Sequence, residues 1–285
     1  MDQKDLYRKK YPSALTDEQW ALVSAMIPPA KQNPRGGRPR KVERREVLNT
    51  LFSLHRSGCP WNRLPHDLLP KRTGYDSFAQ WREDGTWTRI VQAWREQARV
   101  AAGRAPTPSA VCMESQSVKS TEIGGPERGD DGGKKVKGRK RHILVDPLGF
   151  LSAVLMTSAG LEDGRAAPQL LALIAATAFP RLGMIFGDNK YHNHDLQAWM
   201  ATHRPTWRLE VTTRPGGRKG FTPLRKRWVV ERTNAWNGRA RRNSKDYERK
   251  PTSSAVMIQM SHMHLMLNRL APCPGPAFQY RQKAA

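Results

Sequence analysis

Cysteine is scarce in this chain: the three that occur, Cys59, Cys112 and Cys273, are odd in number and far apart. A disulfide framework is excluded as the source of stability, and a reducing, cytoplasmic setting is expected. Long apolar runs are missing as well. No stretch reaches the roughly 18 consecutive apolar residues that cross a bilayer, so no membrane association is expected. The opening residues, Met1 to Asp5, lack the apolar core of a secretory signal. A glycine-rich phosphate cradle ending in Lys and Ser or Thr is absent, which argues against a nucleotide cofactor. Negative charge is also short: 25 Asp plus Glu face 49 Lys plus Arg, a net charge of +24. That excess is more than solubility requires and fits a polyanionic partner, nucleic acid before membrane.

What is present suffices for a sizeable core, since 38% of the 285 residues are hydrophobic. Two domains and a flexible tail are expected, over 1–103, 104–271 and 272–285. The first has helical periodicity. Thr16 or Asp17 can cap a helix carrying Trp20, Val23 and Ile27; Val47, Leu48, Leu51 and Phe52 mark a second; Trp87, Ile90, Val91 and Trp94 share one face of another. Short helices with interspersed Arg and Trp suit a helix-turn-helix-like DNA-binding module, although Trp at helical spacing is more often core than base contact. Between the first two helices, the Pro-, Gly- and Arg-rich run through Arg35, Arg38, Arg40 and Lys41 reads as an extended loop. A DNA groove and plain solvent are equally open as its surroundings. Ala101 to Pro108 reads as the interdomain linker.

From Ser109 strands alternate with helices, a mixed α/β layout with a central sheet. Val111 to Glu114 is expected as the first strand, 141–145 and 151–157 as a hairpin, and Leu182 to Phe186 as a buried strand ending in Gly187-Asp188. Arg227 to Arg241 is expected as a helix with Glu231 in its first turns. Singly, each acid has a plain reading as strand end, turn residue or helix-start acid. Together, Glu114, Asp188 and Glu231 make an oxygen-rich donor set for two Mg²⁺ or Mn²⁺ ions, which can hold the attacking and leaving oxygens of a phosphoryl displacement. Lys190 is expected to pair with Asp188 or to meet DNA. His192 and His194 are more simply loop residues than metal ligands, and His262 and His264, on an apolar helix, are ordinary packing or surface histidines.

Basic residues flank these acids. Lys119, Lys134, Lys135, Lys137, Arg139, Lys140 and Arg141 lie ahead of the hairpin strand, and Arg225, Lys226, Arg227, Arg232, Arg239 and Arg242 surround Glu231. Spacing sets Arg232, Arg239 and Arg242 on roughly one helix face. All are expected as DNA contacts, with phosphate and base contact both open.

The segments Glu114-Ser115-Gln116-Ser117-Val118-Lys119, Asp131 to His142 and Arg227-Trp228-Val229-Val230-Glu231-Arg232-Thr233 resemble bacterial insertion-sequence transposases of the DDE type, in the large group numbered five. Gly37-Arg38-Pro39 and Trp81 to Trp87 extend the likeness into the front half. The resemblance implies a ribonuclease-H-like mixed sheet core with a small helical N-terminal domain, and a DNA transposase that cuts and joins strands at element ends with two divalent ions. It also implies double-stranded terminal-repeat and target DNA as partners, a homo-oligomer on DNA, and a place at the bacterial nucleoid. Asp188 matches the second catalytic acid and Glu231 the third; Glu114 stands where the family has Asp, and Asn189-Lys190 replace smaller residues. A transposase-derived DNA-binding protein with weak or no cleavage is the alternative.

Overall fold

The computed structural model describes residues 11–29, 42–122, 124–212 and 227–273. The loop with Arg35, Arg38, Arg40 and Lys41, the pair Arg225 and Lys226, and most of the expected tail lie outside these residues. Helices α1 (Asp17–Ser24), α2 (Arg44–Ser57), α3 (Lys71–Glu83) and α4 (Thr86–Ala101) come first. Thr16 caps α1 in a reciprocal capping box with Gln19, satisfying two otherwise orphaned donors. Trp81, Trp87 and Trp94 are all buried, so the aromatic face of α4 is core and not a base-reading surface.

Six strands follow among the described residues: β1 (Ala110–Lys119), β2 (Gly129–Asp131), β3 (Val136–Val145), β4 (Leu151–Ser158), β5 (Met184–Gly187) and β6 (Arg208–Val211). The other α-helices among the described residues are α5 (Asp163–Ala172), α6 (His194–His203), α7 (Trp228–Gly238) and α8 (Pro251–Leu270). β4 and β2 share the outer side of β3, and β1, β5 and β6 continue the sheet inward from it. β4, β3 and β1 are antiparallel, whereas β1, β5 and β6 are parallel. An antiparallel meander joined to a parallel half, with helices on both faces, is the ribonuclease-H-like arrangement.

Three of the boundaries that differ from the sequence expectation bear on the site. β1 does not stop at Glu114 but pairs with β3 as far as Lys119. The basic segment does not precede the hairpin strand; from Val136 onward it is that strand. Gly138 explains how it fits, because a Cβ there would lie 2.1 Å from the Val118 carbonyl oxygen. Finally, α7 ends at Gly238, short of Arg241.

Side-chain alternation on the strands divides the interior into two layers. Cys112, Ile143, Val145 and Phe186 face one continuous apolar cluster that also contains Leu48, Trp94, Val230, Met260 and Met263. Val111, Met113, Leu144 and Ile185 face the other, with Leu170 of α5 and Leu196 of α6. The first cluster runs without a break from the N-terminal helices to α8 and the sheet.

Two histidines inside this cluster make its stability pH-dependent. His262 is 1% exposed with neither ring nitrogen paired, and burial pushes it down to about 3. Burial, helped by His264, holds His55 well below its ordinary value. Both are neutral in the fold, while the unfolded chain takes up their protons near pH 6.5. Their stability contribution is complete above pH 6.5 and is lost as pH falls toward the folded-state values, at about 1.4 kcal/mol per pH unit for each histidine. Urea midpoints are expected to drop steeply from pH 7 to pH 5, and His262→Met is expected to flatten that drop.

Candidate active site

The parallel register of β1 with β5 runs Ala110↔Met184, Val111↔Ile185, Cys112↔Phe186. Two residues further along each chain stand Glu114 and Asp188. The same register therefore sets these acids side by side, and alternation places both on the face of Cys112 and Phe186. β5 ends at Gly187, so Glu114 remains in the ladder with Ile143 while its parallel neighbour is already turning away. Asp188 accepts the Lys190 N–H at 3.0 Å and caps a single 3₁₀ turn over Asn189–Tyr191. A Cβ at residue 187 would come within 2.9 Å of the Tyr191 side chain, so Gly187 is what lets Tyr191 fold back beneath the acids.

Glu114 is closely held. Its Oε2 accepts from Arg227 Nη2 at 2.6 Å, and its Oε1 accepts the Ser115 N–H at 3.2 Å. Burial and then the neighbouring Asp188 charge push the Glu114 carboxyl above its ordinary range, against the pull of Arg227. Glu231 is exposed in the first turn of α7, a helix that packs on β1 and β3. Asp163, a buried acid at the start of α5, lies on the other side of the sheet. Lys140 and Lys190 bring their Nζ atoms to 3.1 and 3.4 Å from Asp163. Lys190 thus pairs its ammonium with Asp163, where the sequence offered Asp188 or DNA. Tyr191 is 1% exposed with its hydroxyl unpartnered, and burial with the charges of Glu114, Asp163 and Asp188 holds it well above its usual value.

Residues 15–91 match a family model described as "Putative transposase of IS4/5 family", and residues 105–266 match one described as "Transposase DDE domain". The second match spans more than half of the chain. The chain belongs to the DDE-domain transposase family. No curated protein matches it.

The transposase distributes its basic residues differently from the sequence expectation. Lys119, Lys134, Lys135, Lys137 and Arg239 are exposed. Arg139, Lys140, Arg141, Arg227 and Arg242 are buried, because pairing of β3 and packing of the 239–250 segment turn them inward onto oxygen acceptors. Arg139 reaches Asp246 at 2.9 Å, Arg141 the Asn243 carbonyl at 2.9 Å, and Arg242 Glu248 at 2.8 Å. Arg242 is also off α7 altogether, so it shares no helix face with Arg232. Arg232 is half-buried, its guanidinium between the rings of Trp228 and Trp236 at 4.3 and 4.5 Å. His192 and His194 are exposed, and His262 lies in the core.

Donor chemistry at the transposase site suits a hard divalent cation: two carboxylates are brought together, and the charge of one destabilises the other. Among the described residues no three Asp, Glu, His or Cys side chains stand close enough to share an ion. Glu114 and Asp188 are therefore the pair the backbone itself juxtaposes. The tie between Arg227 and Glu114, and the places of Asp163 and Tyr191, were not read from the sequence. The signals it carried were Arg227 one helical turn before Glu231 and Tyr191 three residues after Asp188.

Proposed function

We propose that this transposase cuts and rejoins double-stranded DNA at the terminal repeats of an insertion element, by phosphoryl transfer that depends on two Mg²⁺ or Mn²⁺ ions. The observation that carries this reading is the β1–β5 register, which sets Glu114 and Asp188 side by side at the mouth of the sheet. Glu114 and Asp188 would supply carboxylate oxygens there, and Glu231 would join them as the third by moving in from the exposed face of α7 on loading. When bound, the ions stabilise the attacking and leaving oxygens of an in-line displacement. The Glu114 side chain is only 18% exposed, which limits water around the reacting phosphate.

DNA would be held by the exposed lysines. Lys119 lies five residues beyond Glu114 on β1, about 17 Å along the strand. Lys137 follows Lys134 and Lys135 out of the β2–β3 turn at the same end of the sheet. The buried Arg139, Arg141 and Arg242 support the fold instead. Residues 1–103 form the end-recognition half, 104–271 the catalytic half and 272–285 a tail; the family matches over 15–91 and 105–266 support this division. Synapsis of two element ends requires more than one copy, and the working place is the nucleoid in the cytoplasm.

The deciding experiment is cleavage of duplex DNA carrying paired element ends, with Mg²⁺, with Mn²⁺ and with EDTA. Metal-dependent nicking at the ends supports the proposal, binding without cutting points to the transposase-derived DNA-binding protein, and no DNA binding sinks both. Lys134→Ala, Lys135→Ala and Lys137→Ala together are expected to weaken DNA binding and to lower the slope of log affinity against log salt by about 0.9 for each phosphate no longer neutralised. Thermal stability should not change.

A further inference from the structure

Arg227 stands where the carboxylate pair calls for a cation. Its Nη2 lies 2.6 Å from Glu114 Oε2, and the two side chains are only 9% and 18% exposed. Its Nε is buried with no hydrogen-bond partner, and among the described residues the guanidinium is held chiefly by this one carboxylate. Arg227 also immediately precedes α7, so the ion pair ties the middle of β1 to the helix that carries Glu231. A fork that grips a carboxylate oxygen competes with a metal for the same lone pairs, and its positive charge repels the incoming ion at short range.

We propose that Arg227 is the resident counter-ion of the metal-free site and that it is exchanged on loading. The divalent ion takes Glu114, and the released guanidinium, an always-charged planar donor, goes to a phosphate of the DNA backbone. The exchange couples the two ligands. DNA that draws Arg227 away frees Glu114 for the ion, and an ion on Glu114 frees Arg227 for DNA, by the same factor in both directions. In the absence of DNA the site resists loading. The inference rests on the metal reading above and concerns how that site is regulated.

Mn²⁺ titration of the full chain by calorimetry, without DNA and with a short duplex, tests the exchange. Arg227→Met is expected to bind Mn²⁺ about tenfold or more tighter than the unaltered protein without DNA, the equivalent of one charge-assisted bond no longer displaced. The gain in Mn²⁺ affinity that the duplex confers on the unaltered protein is expected to vanish in this variant. Arg227→Gln, which keeps a donor and most of the length, is the milder variant with the same expected direction should Arg227→Met not fold. Unchanged or weaker Mn²⁺ binding in the folded variant overturns the exchange. Asp188→Asn separates the two levels: if it binds Mn²⁺ as well as the unaltered protein, the metal site itself is misplaced, whereas loss there without a gain at Arg227 refutes the exchange alone.

Discussion

Asp188→Asn is expected to lower metal-dependent strand cleavage by on the order of a thousandfold while leaving the fold and DNA affinity in place. The substitution is chosen for what it preserves. Asp188 accepts the Lys190 N–H and caps the turn that carries Tyr191, and an Asn side-chain oxygen can accept the same bond. What it removes is the charge that faces Glu114 across the β1–β5 register. DNA affinity should stay level or rise slightly, because one charge of the same sign as the phosphates is gone. The measurement is the nicking rate on end-containing duplex at saturating protein, beside a binding titration. Cutting at the unaltered rate would show that the carboxylate pair is not the reacting centre. Glu114→Asp is the natural companion, since one methylene less withdraws the carboxylate from Arg227, and its rate relative to the unaltered protein reads how strongly that ion pair restrains the site.

The second large effect concerns stability. Arg139 is 1% exposed and donates to Asp246, to the Pro126, Glu248 and Arg249 carbonyls and to Ser254 Oγ. Arg139→Met is expected to cost about 3–5 kcal/mol, because it strands Asp246 as a buried charge and leaves three carbonyls short of a donor. The loss should appear as a lower urea midpoint with an unchanged slope. Lys135→Ala, on the turn three residues earlier than Gly138, is expected to leave stability within about 0.5 kcal/mol. If Arg139→Met kept full stability and lost DNA binding, the residue would belong to the DNA surface after all. The contrast would separate two uses of positive charge within one short basic motif: anchoring a loop to a strand, and the proposed contact with DNA.

Much of the architecture was legible in the chain. The apolar period along Trp87, Ile90, Val91 and Trp94 foretold α4, Thr16 with Gln19 foretold the start of α1, and the apolar runs before Glu114 and Asp188 foretold β1 and β5. These are local signals, set by side-chain geometry over one or two turns or a few strand residues. Strand ends were less legible. Polar Ser115, Gln116 and Ser117 looked like an exit from the sheet, yet β3 pairs with them to Lys119, and only the partner strand could reveal that.

The sequence by itself determined the family, the element types and the excess of positive charge, because each depends on residue identity and near spacing. The tertiary structure decided which charges are free. Arg139, Lys140 and Arg141 are indistinguishable in sequence from the lysines that stay in solvent, but a buried guanidinium or ammonium must find acceptors, and those it finds, on Asp163, Asn243 and Asp246, are distant along the chain. Glu114, Asp188 and Arg227 lie 113 residues apart at their widest. Only the parallel register of two strands and the position of α7 bring them together, so the chemistry of the site is a property of the fold and not of any one segment.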